Sequence, residues 1–565
     1  MFRLREWSWR MWEPALARSL RGYSRADFSA DLVAGLTVGV VALPLAMAFG
    51  IASGVTPQAG IYTAIVGGAI VALLGGSRVQ VSGPTGAFIV IVAGIVAAHG
   101  LSGLLMVTMM AGVILIGLAL TGLGEAVKFI PRPVVLGFTN GIALLIATTQ
   151  IRDFLGLDLA DVPSEFFARM EALGAHFHTL SPIATALGVG SLLLILLTPR
   201  WLPRVPGSVV ALVAGTGAVA LAGLPVATIG STFGGIPATL PAFDVPEFRA
   251  DLILPLLPSA LTVAVLAAVE SLLSAVVADG MIGTRHNSHA ELLGQGVANL
   301  IVPMVGGIPV TGAIARTATN VRSGARTPVA SVVHAVTLLV IVLVAAPLAA
   351  DIPLATLAAV LFVVAWNMGE WREIGGILKL DLADKAVWAI TFALTVMADL
   401  TLAVEVGIAL AALLYIYRVS DTTSVELVTP EYIEHGRVHV LQDKEVPPYV
   451  DILRIHGPFL FGTTDKLDDA TADVSRFKPI LVLRLRNMTA IDASGLHALE
   501  RLSDRVRASG RTLLLCGARH QPAHLLTRVD FVRHVGAENI LPHVQAAIAR
   551  AREIREPGGD RPSRS

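Results

Sequence analysis

The sequence predicts a polytopic α-helical membrane protein with a small α/β domain at its C-terminal end, and three observations lead there. Of the 565 residues, 54% are hydrophobic and only 15% are charged, against roughly 25% in ordinary soluble proteins. The shortage is local, since 9% of residues 32–420 are charged but 27% of residues 421–565. Within the charge-poor part, apolar runs near the ~20 residues needed to cross a bilayer recur along the chain. This composition excludes a disordered chain, a coiled coil and a basic nucleic-acid binder. The lipid bilayer is the expected surrounding, and no nucleic acid is expected as a partner.

Residues 1–30 form a basic leader with Arg3, Arg5, Arg10, Arg18, Arg21 and Arg25, interleaved with Trp7, Trp9 and Trp12. The pattern suits a short interfacial segment or a plain basic flank on the cytoplasmic side. The first apolar run, 32–52, is too long for a signal-peptide core and reads as a retained span. Further candidate spans follow at 58–75, 79–98, 101–122, 129–151, 182–199, 205–228, 255–279, 291–305, 307–324, 328–349, 352–370, 383–399 and 401–417. Fourteen is even, so both termini are expected in the cytoplasm, with the chain in a bacterial inner membrane.

The third and tenth candidates break the pattern. One reads Val81-Ser82-Gly83-Pro84-Thr85-Gly86-Ala87-Phe88, the other Pro309-Val310-Thr311-Gly312-Ala313-Ile314-Ala315-Arg316. Each places a short extended piece and a proline before Thr-Gly-Ala and a helical run. The two threonines are 226 residues apart, and a second pair, Ile130-Pro131 and Ile352-Pro353, is 222 apart. This predicts two seven-segment repeats, 31–228 and 229–418. An odd number of spans makes the second repeat inverted relative to the first. A helix that starts in mid-membrane exposes unpaired N–H groups and the positive end of its dipole. Hydrocarbon cannot satisfy them, so two such starts meeting head to head form an anion site. The alternative is that Gly and Pro merely permit close helix packing; the matched pair favours the anion site.

Several motifs make the chain resemble the sulfate permease (SulP) family of anion transporters. They are Asp31 to Gly39, Leu43-Pro44, Met47-Ala48-Phe49, Gly54-Val55-Thr56-Pro57 and Gly60-Ile61-Tyr62. Gly137 to Gly141, Glu291-Leu292, Gln295-Gly296, Asn299, Ala315-Arg316-Thr317, Asn320 and Gly324 to Thr327 continue the match in order. The resemblance implies a core domain that carries the substrate and a gate domain that faces it, elevator-type alternating access, and a homodimer. It also implies an anion site lined by Leu45, Phe49, Thr85, Gly86, Ala315 and Arg316, with Ala87, Phe88 and Ile314 beside them at the helix starts. Many members carry Gln where this chain has Leu45 and Ser where it has Ala315. That pattern resembles bacterial members associated with C4-dicarboxylates, and both changes shift the burden to backbone N–H groups and Arg316.

Charges inside the apolar part are expensive and mark candidate sites. Between Asp31 and Glu125 the sequence has a single charge, Arg78. Glu270 lies in the middle of the eighth span, where a carboxyl can take a proton for ion coupling, with sodium or a structural pairing as alternatives. Arg316 adds positive potential near the tenth helix start or pairs with Glu270. Arg285, His286, Arg322 and Arg326 read as interfacial, Glu405 as a hinge or interface residue, and His334 as a satisfied packing residue. No Walker loop, dinucleotide fingerprint or zinc-spaced His/Cys cluster is present, so neither an enzyme nor a cofactor is expected. The leading expectation is a secondary-active transporter of a small inorganic or carboxylate anion such as sulfate or a C4-dicarboxylate. The alternatives are an uncoupled exchanger or channel-like conductor of chloride or bicarbonate, and a membrane-tethered regulatory scaffold.

The tail, 419–555, alternates strand-like and helix-like runs. Ile480 to Leu485 and Arg511 to Gly517 read as strands, and Leu496 to Leu502 and 540–554 as helices, which predicts a small parallel sheet. The turn Asp492-Ala493-Ser494-Gly495 resembles that of the STAS domain. By that resemblance Ser494 matches a regulatory phosphorylation position, and a cytosolic protein is an expected STAS partner; a plain Ser/Asp helix cap is the other reading. The one cysteine, Cys516, reads as a buried structural thiol. Residues 556–565 read as a disordered end.

Overall fold

The structure is a computed structural model of the chain that describes residues 12–122, 131–159, 162–163, 165–202, 205–236, 243–246, 249–398, 400–428, 446–529 and 531–555. Arg3, Arg5, Trp7, Trp9, Arg10, Glu125, Ile130, the 556–565 end and the side chain of Glu405 lie outside the described residues. The chain divides into two compact units, Met1–Ala411 and Ala412–Ser565.

In the first unit the predicted segments become helices α1 Arg25–Ala52, α2 Pro57–Leu74, α3 (86–99), α4 (101–121), α5 Arg132–Leu155, α6 Pro182–Trp201 and α7 Gly207–Ala222. The second half supplies α8 Ile253–Ile282, α9 Ser288–Ile301, α10 Ile314–Arg322, α11 Val329–Ala349, α12 Leu354–Met368, α13 Leu382–Met397 and the start of α14 Leu400–Asp421, which runs past the unit boundary at Ala411. Among the described residues, 8 helical stretches are long and apolar enough to cross a membrane. The short exceptions include α10, with 9 residues, which follows the extended Thr311–Gly312 strand. Local chemistry sets the ends. Ser24 and Asp27 close a reciprocal cap at the start of α1, which satisfies two otherwise orphaned N–H groups. The backbone turns at Gly100, with φ 68°, to separate α3 from α4.

Packing sorts the helices into two groups. In one, α1 lies on α11, α8 and α9 lie on the α3–α4 pair, and α10 sits against α8. In the other, α5 packs on α12 and α13, α12 on α6, and α6 on α7. We call the first of these groups the core and the second the gate. The inversion is visible in the backbone: β1 Ser82–Gly83 pairs antiparallel with β2 Thr311–Gly312, so the helices that follow them leave in opposite directions. Pro131 and Pro353 each take the N-cap position, of α5 and α12.

The pairing corrects the repeat alignment drawn from the sequence. Ser82 faces Gly312 and Gly83 faces Thr311, so the symmetry matches Ser82-Gly83 with Thr311-Gly312 rather than Thr85 with Thr311. The motif Thr-Gly-Ala recurs at both breaks, but the shared element is the strand, and the first break holds one more residue between strand and helix.

The second unit contains a five-stranded sheet in the order β3 Ser424–Leu427, β4 Val450–Phe459, β5 Ile480–Ile491, β6 Thr512–Cys516, β7 Ile540–Leu541. The β3–β4 pair is antiparallel and the others are parallel. Helix α15 Ala493–Ala508 covers one face with Ala498, Leu499, Leu502 and Val506, and α16 Val544–Arg555 covers the other with Val544, Ala547, Ile548 and Ala551. Cys516 is buried on β6, and burial pushes its thiol up to about 12.

Candidate anion site at the crossing of two broken helices

Two extended stretches cross inside the core group, and apolar helices surround them. Their backbone groups cannot be left bare there. The sequence meets this with polar side chains placed on the neighbouring helices. Thr317 accepts from the Val81 N–H at 3.0 Å, and the Asn299 side chain accepts from the Val310 N–H and donates to its carbonyl, both at 2.8 Å. Ser271 accepts from the Gly312 N–H at 3.0 Å, Asn320 donates to the Val79 carbonyl at 2.8 Å, and Ser331 donates to the Gln80 carbonyl at 2.6 Å. The wholly buried carboxylate of Glu291 takes the Gly76 and Ser77 N–H groups at 3.0 and 3.2 Å and the amides of Gln80 and Gln295 at 2.8 and 3.0 Å. Thr63, in a five-residue π-helical stretch of α2, accepts from the Ile308 N–H at 2.8 Å.

This scaffold leaves both helix starts open. Thr85 holds the N-cap position before Gly86–Phe88, yet its side chain makes no cap bond, and its buried hydroxyl has no partner among the described residues. The second start is capped by Ala313, which has no side-chain donor or acceptor to offer. The first N–H groups of both helices, including those of Gly86, Ala87, Ile314, Ala315 and Arg316, have no intrahelical acceptor by helix geometry. Arg316 reaches across from the second start to the first. Its guanidinium, 3% exposed, donates to the Pro84 carbonyl, while its other terminal nitrogen has no partner among the described residues. Gly83 makes room for that nitrogen, since a Cβ there would lie 2.8 Å from it. The ion pair between Arg316 and Glu270, one of the alternatives read from sequence, does not form.

The remaining predicted residues fall into two sets. Phe49 and Gly86 meet: a Cβ on Gly86 would stand 3.7 Å from the Phe49 ring and 3.4 Å from both Ile146 of α5 and Met368 of α12. Ala315 is exposed and Ile314 half-buried at the mouth of the second start. Leu45 is half-buried and packs against gate residues Ile195, Ala211 and Val360. Ala87 and Phe88, by contrast, are packed into the core at 2% and 1% exposure, so only their backbone faces the site. Ile146 and Met368 had no sequence signal, because gate residues meet the helix start only through tertiary packing. Glu291, Gln295 and Asn299 did have one: spacing of four puts them on one face of an otherwise apolar helix.

Glu270 is half-buried on α8, next to Ser271 at the strand crossing, with no hydrogen-bond or ion-pair partner among the described residues. His334 differs from expectation. It is fully buried, and both ring nitrogens lack partners among the described residues; Gly68 of α2, where a Cβ would lie 3.9 Å from the ring, leaves room for it and has no side chain to bond it. Asp279 holds His286 at 2.7 Å and Asp27 holds Arg326 at 3.0 Å, both near helix ends. In the second unit, Asp492 rather than Ser494 caps α15, accepting from Gly495 N–H at 2.8 Å, and Ser494 is exposed in the first turn.

Residues 28–391 match the Sulfate permease family and residues 442–547 the STAS domain. "Putative sulfate transporter YvdB" of Bacillus subtilis is 42% identical over 93% of this chain and 98% of its own. "Bicarbonate transporter BicA" of Picosynechococcus is 30% identical over 92% of this chain and 94% of its own. The murine Slc26a9 anion transporter in its inward-facing state superposes with a TM-score of 0.84 at 17% identity, covering 95% of this chain and 94% of that one. The match shows the same fold.

Proposed function

The chain belongs to the sulfate permease family, and on that premise we propose that it is a proton-coupled, secondary-active carrier of a small divalent anion, sulfate or a C4-dicarboxylate. The observation that carries the reading is the pair of open helix starts, with the Thr85 hydroxyl and one Arg316 nitrogen buried beside them and without a partner among the described residues. Such groups are costly to leave empty and are matched by an anion's oxygens. Leu45 and Ala315 add no side-chain hydrogen-bonding group, which suits a ligand held by backbone, one hydroxyl and one guanidinium. A bound anion would rest on the core group and be covered by Ile146 and Met368 of the gate, so sliding core past gate would expose it to either side.

Energetics favour coupling. Moving one charge against an inside-negative potential of 100 mV costs about 2.3 kcal/mol, so a divalent anion needs compensating cations. Glu270, beside the crossing and without a partner among the described residues, is the group proposed to carry a proton. We further propose that both termini are cytoplasmic in a bacterial inner membrane, that the carrier is a homodimer, and that the STAS unit binds a cytosolic protein, with Ser494 as its modifiable hydroxyl. The second reading, bicarbonate transport, is favoured by the relatives named as bicarbonate transporters.

The test is uptake into proteoliposomes of sulfate, succinate, fumarate, aspartate, bicarbonate and chloride, each with and without a pH gradient. Sulfate or a dicarboxylate accumulated on an inward proton gradient is the expected result. Bicarbonate accumulated alone would establish the second reading, and equilibration without accumulation would establish an uncoupled conductor.

A further inference from the structure

Gly137, Asn140 and Gly141 of α5 serve neither the open helix starts nor the hydrogen bonds around the strand crossing. They face α13 and the end of α12. A Cβ on Gly137 would lie 2.6 Å from the Trp388 carbonyl, and one on Gly141 2.5 Å from the Thr395 side chain, so the two glycines let α5 and α13 close on each other. Between them the wholly buried Asn140 uses both ends of its amide. Its Oδ1 accepts from the Trp388 indole at 2.9 Å, and its Nδ2 donates to the Gly369 carbonyl just past α12.

A break in the helix frees that carbonyl. In an unbroken helix it would accept from the N–H of Glu373, four residues on. Glu370 instead takes φ 42° and ψ 38°, the Glu373 N–H turns to the Glu370 carbonyl at 2.8 Å, and Trp371–Ile377 follows as a separate short helix. Left-handed backbone at a non-glycine residue is uncommon and needs support from its surroundings, and a buried carbonyl without a donor adds to the cost. Asn140 supplies the donor. The residue before Gly369 is Met368, whose sulfur stands 3.4 Å from where a Cβ on Gly86 would lie, the same distance as the end of the Ile146 side chain. Ile146 belongs to α5 and Met368 to α12. The two residues that roof the first helix start thus come from different helices, and Asn140 bonds those helices together one residue from Met368.

We propose that Asn140 is a positioning residue for substrate selectivity: by clasping the end of α12 to α5 it sets how far Met368 reaches over Gly86, and so the length of anion that fits beneath the gate. The inference rests on the reading that the anion binds at this helix start. A flexible thioether adapts to the space it is given, so the rotamers of Met368 set no sharp limit; the position of its backbone does. With the clasp in place a compact oxyanion is favoured over a long dicarboxylate. Without it the end of α12 is free to move away from Gly86, and the limit on length relaxes.

The experiment is uptake of labelled sulfate or succinate by the full chain in proteoliposomes, inhibited by sulfate, succinate and glutarate, a series of increasing length. The variants are Asn140→Leu, Trp388→Phe, Met368→Ala, and Asn140→Leu combined with Met368→Ala. Asn140→Leu is expected to raise the inhibition constant of sulfate relative to that of glutarate by about fivefold, the worth of one hydrogen bond. Trp388→Phe, which leaves the Asn140 amide unheld, should shift the ratio the same way by less. Met368→Ala should produce the shift alone, and Asn140→Leu should add nothing on top of it, because residues that act through one another are not additive. An unchanged ratio in Asn140→Leu, equal weakening of all three anions, or a full second shift in the combined variant would overturn the proposal. If Asn140→Leu does not fold, the ratio in Trp388→Phe decides between the same outcomes. Wild-type inhibition constants in Arg316→Ala would remove the anion from this helix start, and would overturn the underlying reading and the proposal with it.

Discussion

Thr85 and Arg316 bring opposite chemistries to one place, a neutral hydroxyl donor at one helix start and a fixed cation reaching from the other. A charged hydrogen bond contributes about 1.5–3 kcal/mol and a neutral one about 1 kcal/mol. Arg316→Ala is therefore expected to weaken anion affinity by about ten- to hundredfold, and Thr85→Val by about fivefold, with Thr85→Ser near wild type. Isothermal titration or scintillation proximity on detergent-purified protein measures both; unchanged affinity in Arg316→Ala would remove it from the site. Gly86 faces Phe49, Ile146 and Met368 at contact distance, so Gly86→Val should abolish uptake while Gly86→Ala is tolerated. Cys516 offers a check on the second unit. Burial lifts its thiol from 9.0 to about 12. A group kept neutral in the folded state stabilises the fold fully below pH 9, and that contribution fades as pH rises toward 12. The native thiol should resist alkylation at pH 8–9 and react on unfolding.

At the scale of elements, the crossing strands are the costly feature, since they bring bare backbone into an apolar interior. Glu291 relieves that cost for four donors at once. Glu291→Ala would orphan the Gly76 and Ser77 N–H groups and two amides, at about 1–3 kcal/mol for each group left unsatisfied. A clear loss of thermal stability in detergent is the expected outcome, whereas Glu291→Gln, which keeps one acceptor, should lose less. The same network explains why three of its members, Glu291, Gln295 and Asn299, recur every fourth residue along α9. The motif around Thr85 and Thr311 was legible as a break, but the strand register was not. Composition marks where a helix cannot run; only pairing with a strand some 230 residues away decides which residue faces which.

At the scale of the molecule, charge and geometry combine into transport. Glu270→Gln is expected to abolish proton-driven accumulation and to leave downhill exchange, read by proteoliposome uptake with and without a pH gradient. Removing residues 425–565 takes away most of the second unit, Ala412–Ser565, and is expected to retain substrate binding by the first unit; loss of binding would give the STAS unit a part in building the site.

What the sequence by itself determined is the partition into an apolar body and a charged tail, the apolar runs that become helices, and the two helix breaks; it also singled out Thr85, Gly86, Glu270 and Arg316 as candidates. Those follow from local quantities: hydropathy over a span length, proline and glycine at a break, and a charge in an apolar run. Tertiary structure alone decided that Arg316 binds across to Pro84 rather than to Glu270, that Phe88 belongs to the core, that His334 has no partner among the described residues, and that Met368 meets the first helix start from the gate. Each depends on contacts between segments far apart in the chain, and the sequence of one segment does not say which neighbour will supply its missing hydrogen bonds or countercharge.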